Sequence, residues 1–414
     1  MNNIKNTAIN LSSFFVTSLI ALYLYYFLVK IGTEELLGLF NIQYIFIIIF
    51  SQLGTFGVHY SILRQASIKN SNYENFDNLI SGLFLVLINS IIVSFFASLF
   101  FGNFPNLIFF KFSNIVYPII LFALNKCIYY FLNGKEKYLR MAFASPVRMA
   151  TYLITINYLY QASNITNNIY IAFLIGELVV FLYQLTICVN LLKFNTDFHA
   201  TYDFIKIHLR YGKDAFLTSF LSDVNLKIDL ITISYILGSK FVGLYSFTSA
   251  LGEGYIGLLT VVRTISTPKL NELLENQEEF KRYKKSIFFI SYSIAITAGL
   301  SILIISKFFG NSISFLSDIN TSGYTSLLII IFGFMLISYC FAFEHILLQL
   351  GLPKDHTKCL LTLFFVNIFL NVILINLISL NGAALATIIS YSIYFLTINN
   401  RVKKLLNNSF IKSI

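Results

Sequence analysis

Seven stretches of this 414-residue chain run without a charged side chain for longer than a bilayer is thick: residues 6–29, 36–58, 78–110, 149–176, 286–306, 319–343 and 359–400. An α-helix needs about 20 apolar residues to cross a ~30 Å hydrocarbon core, so each run is long enough to span. The last is long enough for two helices, and SLNG at 379–382 is a turn signal at its centre. The stretches 111–133, 169–192, 214–237 and 241–263 carry a few charges each and still read as spans. With 57% apolar and 12% charged residues and a mean hydropathy of +0.75, a soluble globular chain is excluded.

The expectation is an all-α integral membrane protein with twelve helices near 7–30, 36–63, 79–101, 114–132, 141–160, 168–192, 214–237, 242–263, 286–306, 323–349, 358–378 and 382–400. The first run is uncharged for 24 residues, which is too long for a signal-peptide core, so it is expected to stay as the first span.

The formal net charge of +10 would suggest nucleic acid in a soluble domain. In a membrane chain it is first a topology signal. With a cytoplasmic N-terminus, 22 of the 29 basic residues fall in cytoplasmic segments and four, Lys30, Lys111, Lys240 and Lys307, fall outside. The positive-inside rule then puts both termini in the cytoplasm, and no nucleic-acid partner is implied.

Residues 194–213 mix aromatic and basic side chains as an interfacial helix would. They divide the chain into an N-terminal six-helix lobe (1–193), this cytoplasmic linker (194–213) and a C-terminal six-helix lobe (214–414). The halves look related. IGTEELLGLF at 31–40 parallels LGSKFVGLYSF at 237–247, and FLNGKEKYLR at 131–140 parallels LQLGLPKDHTK at 348–358. Six is even, so both halves enter the membrane from the same side. That predicts a parallel repeat about a pseudo-twofold along the membrane normal, around a central cavity.

Charge at mid-bilayer costs at least ~2.5–3.5 kcal/mol per group and usually faces a cavity or a partner. Eight such groups are retained: Lys126, Arg148, Glu177, Asp223, Lys227, Asp229, Glu253 and Glu344. Asp223 and Lys227 stand at i, i+4 on the seventh predicted helix and are placed to pair there. Asp229 is rotated about 200° from Lys227. Arg148 either pairs with Glu177 on the next helix or offers its planar, permanently charged guanidinium to phosphate. Lys126 either snorkels to the inner surface or faces the cavity. Glu253, flanked by Gly252 and Gly254, either pairs with a cation of the seventh helix or takes a proton or Na⁺ during transport. Arg64 and Arg263 end the second and eighth helices, where topology alone calls for positive charge. His59 and His345 read as packing residues.

Cys127, Cys188, Cys340 and Cys359 sit inside apolar runs with no ligand-like spacing, giving neither a disulfide framework nor a metal site. No GxxxxGK[ST], HExxH or CxxC occurs, so transport driven by a bound nucleotide is not indicated, and an ion gradient is.

Three segments carry a family resemblance. KIDLITISYILGSKFVGLYSFTSAL (227–251) with RTISTPKL (263–270) resembles the second-half pattern of Wzx-type polysaccharide flippases, of the multidrug/oligosaccharidyl-lipid/polysaccharide exporter superfamily. FFVNIFLNVILINLISLNGAALATIISY (364–391), with Asn367, Asn371 and the Gly-Ala-Ala-x-Ala-Thr entry to the last helix, resembles its eleventh and twelfth helices. FSQLGTFGVHYSILRQAS (50–67) resembles its second, including Arg64. The resemblance implies a non-enzymatic flippase that moves undecaprenyl-pyrophosphate-linked oligosaccharide, such as an O-antigen unit of lipopolysaccharide, to the outer leaflet of a bacterial cytoplasmic membrane. It implies no bound cofactor beyond coupling to H⁺ or Na⁺, and association with polysaccharide polymerase machinery.

On that footing the expected pyrophosphate-binding residues are Arg148, Lys227, Lys126, Arg64 and Arg263. The expected ion-coupling residues are Asp223, Glu253, Asp229 and Glu177. Some relatives carry cavity charges on the first helix, whereas this chain has none between residues 6 and 29. A multidrug exporter of the same superfamily is the nearest alternative. A polymerase or ligase is the more distant one, since such enzymes use a large outward loop with Arg and His.

Overall fold

The computed structural model describes residues 2–68, 72–103, 110–162, 165–192, 198–273, 277–312, 314–350 and 352–411. No strand occurs among them, as expected where lipid offers no partner for an open sheet edge. Nine of the described helices are long and apolar enough to cross a membrane, so the protein is a multi-pass membrane protein. The other three expected stretches, 141–160, 214–237 and 242–263, are helical too but more polar, since they hold Arg148, the Asp223–Asp229 charges and Glu253.

The chain divides into two compact units, Met1–Val224 and Asn225–Ile414. The first contains α1 (Asn2–Ile31), α2 (Glu34–Thr55), α3 (Val58–Ser67), α4 (Asn72–Asn103), α5 (Val116–Gly134), α6 (Tyr138–Ala142), α7 (Ala144–Gln161), α8 (Ile165–Leu191) and nearly all of α9 (Phe198–Asn225). The second contains α10 (Ile228–Ile236), α11 (Ser239–Leu273), α12 (Gln277–Ser312), α13 (Ser314–Phe341), α14 (Ile346–Gln349), α15 (Pro353–Ile378) and α16 (Leu380–Ile411).

Several expected helices are interrupted. α2 and α3 were expected as one helix, but Phe56 and Gly57 both take left-handed conformations, with φ of 45° and 73°. A side chain at Gly57 would meet the Gly212 carbonyl oxygen at 2.6 Å, so the kink is where α9 comes closest. The seventh predicted helix is also divided. Its first part continues the linker without a break as α9, and its second part is α10. The boundary between units therefore falls at 224/225, within that predicted helix, rather than at 194–213. The polar pair Asn225 and Lys227 in the middle of an apolar stretch interrupts it. Residues 194–197 of the linker and Gly351 of the second parallel segment lie outside the described residues.

Each unit, taken by itself, packs its helices in the same order. In the first, α1 packs on α2 and α7, α2 on α4 and α5, α4 on α5, and α8 on α5 and α7. In the second, α10 packs on α11 and α15, α11 on α12 and α13, α12 on α13, and α16 on α13 and α15. Substituting each helix by its counterpart turns one list into the other.

α9 is held to the first unit by a buried imidazole. His208 Nε2 lies 3.0 Å from the Asn78 carbonyl oxygen and Nδ1 lies 2.9 Å from the Ser61 hydroxyl. A carbonyl only accepts, so Nε2 carries the proton and the Ser61 hydroxyl donates to Nδ1. Thr201 adds a hydrogen bond to Asp77 at 2.9 Å. The linker is thus docked on the first unit through Ser61, Asn78 and Asp77.

Candidate functional site

The eight charges retained at lipid depth, with Arg263 as the partner of Glu344, resolve into four ion pairs and one carboxylate held only by uncharged groups among the described residues. In the first unit, Arg148 on α7 meets Glu177 on α8, with Nε 2.7 Å from Oε1 and Nη2 donating to Oε2 at 3.1 Å. The Glu177 side chain is fully buried and satisfied from three sides. Tyr152 donates to Oε1 at 2.5 Å, and Asn125 on α5 donates to Oε2 at 2.8 Å and to the Glu177 backbone carbonyl at 2.9 Å. The guanidinium lies over the Phe122 ring at 4.6 Å. The pairing branch of the expectation is the one formed, and it leaves the carboxylate no free acceptor direction for a coupling ion.

Lys126 on α5 does not snorkel. Its Nζ donates to Asp223 Oδ2 at 2.6 Å and also to Gln52 Oε1 on α2. Gln52 in turn donates to Ser219 on α9, and Ser219 lies 3.3 Å from His59 Nε2 on α3. Asp223 is therefore partnered within the first unit, and the expected i, i+4 pair with Lys227 is not formed. The reason is the interruption at 226–227, which removes the helical geometry that pair requires. Arg64 at the end of α3 is exposed and stacks on Tyr211 of α9, 5.4 Å from the ring centre.

In the second unit, Lys227 caps the N-terminus of α10 and donates to Glu253 Oε1 on α11 at 2.6 Å. Ser249, one turn earlier, donates to the same oxygen at 3.2 Å. Glu253 keeps 34% of its side chain exposed, and Asp223 keeps 37%. Arg263 on α11 pairs with Glu344 at 2.5 Å, where α13 gives way to turns before α14. Tyr394 on α16 joins them, 3.4 Å from both Glu344 Oε1 and His356 Nε2.

Asp229 is different in kind. It lies in the first turn of α10, where the helix dipole favours negative charge. Thr387 on α16 donates to Oδ2 at 2.5 Å, Tyr245 on α11 donates to Oδ2 at 3.4 Å, and Asn371 on α15 donates to Oδ1 at 3.2 Å. Asn371 also donates to Asn367 Oδ1 at 2.8 Å. Among the described residues no cation lies within ion-pairing distance of it. Asp229 and Glu253 line one cavity of about 350 Å³, together with Asn225, Tyr245, Ser249 and Tyr391.

Charge alone identified the ions but missed the uncharged groups bonded to them or to their partners: Gln52, Asn125, Tyr152, Ser219 and Tyr245. The available signal was an amide or hydroxyl inside an otherwise apolar run. Asn371 and Thr387 did stand in the segment that carries the family resemblance.

No protein-family model and no curated protein sequence matches this chain. Solved structures do match in fold. The lipid II flippase MurJ in an inward closed conformation aligns with a TM-score of 0.70 at 19% identity, over 96% of this chain and 87% of that one. An inward-facing multidrug resistance MATE family transporter of the MOP superfamily gives 0.67 at 14% identity, over 95% and 96%. The eukaryotic MATE transporter AtDTX14 gives 0.66 at 11% identity, over 96% and 93%. The chain has the fold of these transporters and flippases, none of which is an enzyme.

Proposed function

We propose that this protein is a flippase for polyprenyl-pyrophosphate-linked oligosaccharides in a bacterial cytoplasmic membrane, with both termini in the cytoplasm. All twelve helical stretches cross the bilayer in this reading, as two six-span lobes about a pseudo-twofold along the membrane normal. The repeated packing order of the two units supports it. The observation that carries the substrate class is the pair of lysines, Lys126 and Lys227. Each is held at lipid depth by a carboxylate that stays about a third exposed.

A lipid-linked pyrophosphate needs cations at bilayer depth for its head and an open path to lipid for its tail. Lysine is a compact point charge able to exchange one oxygen partner for another. Arg148 is committed to its pair with the fully buried Glu177 and is assigned to holding α7 on α8. Arg263, paired with Glu344 near the inner end of α11, is assigned to the cytoplasmic approach. Coupling to H⁺ or Na⁺ is assigned to Asp229, a buried carboxylate that is met only by the Thr387 and Tyr245 hydroxyls and the Asn371 amide N–H among the described residues.

Complementation of a flippase-null strain tests this. Lys126→Gln with Lys227→Gln is expected to reduce surface glycan at least tenfold while the protein remains in the membrane. Undiminished glycan would remove the pyrophosphate role. A multidrug exporter is the second reading, favoured by the acidic, tyrosine-lined cavity holding Asp229 and Glu253. Resistance to cationic drugs that depends on these two acids, without glycan complementation, would establish it instead.

A further inference from the structure

Glu253 is tied to Lys227 by one salt bridge, and the cavity beside it contains an unsatisfied donor. Asn225, at the end of α9, is only 4% exposed, yet neither its Nδ2 nor its Oδ1 has a hydrogen-bond partner. A buried amide left unpaired costs about 1–3 kcal/mol, so its persistence needs a reason. Asn225 and Glu253 line the same cavity, and Glu253 sits between Gly252 and Gly254. Glu253 keeps 34% of its side chain exposed, so there is open space beside the carboxylate.

We infer that Glu253 is an internal substitute for the substrate's phosphate, moving between Lys227 when the site is empty and the Asn225 amide when a phosphate occupies Lys227. This rests on the flippase reading and adds a release mechanism to it. A lysine at this depth without a counterion carries a desolvation cost that the open cavity beside it reduces but does not remove. Glu253 offsets that cost in the empty protein and so competes with the substrate for the same ammonium. A phosphate that displaces it frees a carboxylate, and the Asn225 Nδ2–H group is the donor that receives it, with the Ser249 hydroxyl one turn away on α11. The other titratable groups facing this cavity are Asp229 on α10, Tyr245 on α11 and Tyr391 on α16. From α13 it is lined by Ile330 and Phe334, which bring no charge.

Competition of this kind makes binding weaker and release faster than Lys227 alone would give. Removing the competitor therefore has an unusual sign: Glu253→Gln tightens binding.

The test uses purified full-length protein in detergent with farnesyl pyrophosphate as probe, read as equilibrium affinity and dissociation rate. Glu253→Gln is expected to lower Kd about tenfold, mainly through slower dissociation. Asn225→Ala is expected to raise Kd several-fold, because the displaced carboxylate loses its hydrogen-bond donor. In Glu253→Gln/Asn225→Ala the effect of Asn225→Ala should vanish, as a double-mutant cycle requires of two groups acting through each other. Thermal unfolding of each variant separates folding from binding. If the wild type binds the probe but Glu253→Gln binds it no more tightly, or Asn225→Ala acts equally in both backgrounds, the exchange is overturned and the flippase reading stands. If the wild type binds no polyprenyl pyrophosphate, the flippase reading fails and the exchange fails with it.

Discussion

The Arg148–Glu177 pair in the first unit and the Lys227–Glu253 pair in the second are each a bridge between helices at bilayer depth. Their surroundings differ. Glu177 is fully buried and accepts from Arg148, Tyr152 and Asn125, so both of its carboxylate oxygens are taken. Glu253 accepts from Lys227 and Ser249 through one oxygen, is a third exposed, and borders a cavity with an unpaired amide. A closed pair stores its charge as structure, whereas an open pair leaves its cation exchangeable. Guanidinium in the first and ammonium in the second fit those uses, since arginine's planar fork favours a fixed carboxylate and lysine's single point charge tolerates a change of partner.

Breaking the closed pair should be the most damaging single change. Glu177→Ala leaves Arg148 buried without its counterion and is expected to cost about 3–5 kcal/mol of stability. The measurement is thermal unfolding in detergent together with the amount of folded protein recovered from membranes. Arg148→Met/Glu177→Leu should recover most of the loss, because an apolar pair of similar volume carries no desolvation penalty. The open pair makes the contrast. Glu253→Ala is expected to cost no more than about 1 kcal/mol, as for other partly solvated ion pairs. Equal losses for Glu177→Ala and Glu253→Ala would erase the distinction between closed and open pairs.

These pairs also show what a sequence reveals and what it hides. The spans were legible because a backbone in lipid must satisfy itself and needs about 20 apolar residues to do so. Arg148–Glu177 was legible because sequential helices pack as neighbours and each offered one opposite charge. Lys126–Asp223 was not: the partners are 97 residues apart, and nothing local says that α9 reaches α5's lysine. The expected Asp223–Lys227 pair assumed an uninterrupted helix, and the polar residues Asn225 and Lys227 should have counted against it. Asp229 was legible as a charge at depth but not as the one without a cationic partner. Its setting depends on Asn371 and Thr387, which arrive from the last two helices of the chain.

The smallest expected effect concerns how α9 is fastened, and its sign follows from which form of His208 is buried. Burial pushes the His208 pKa down to about 4 from its usual 6.5, against the Asn78 carbonyl bond, which acts in the opposite direction. In the unfolded chain the imidazole takes a proton near pH 6.5, so below that the unfolded state binds more protons than the folded one. The stabilisation from keeping it neutral is complete above about pH 6.5, declines as pH falls, and is gone below about pH 4. Roughly 1 kcal/mol should be lost by pH 5.5. Unfolding in detergent from pH 7.5 to 5.5 should therefore show the wild type losing stability faster than His208→Gln, whose amide meets Ser61 and the Asn78 carbonyl without titrating. Parallel slopes for the two proteins would mean that the imidazole is not the group that makes this docking sensitive to acid.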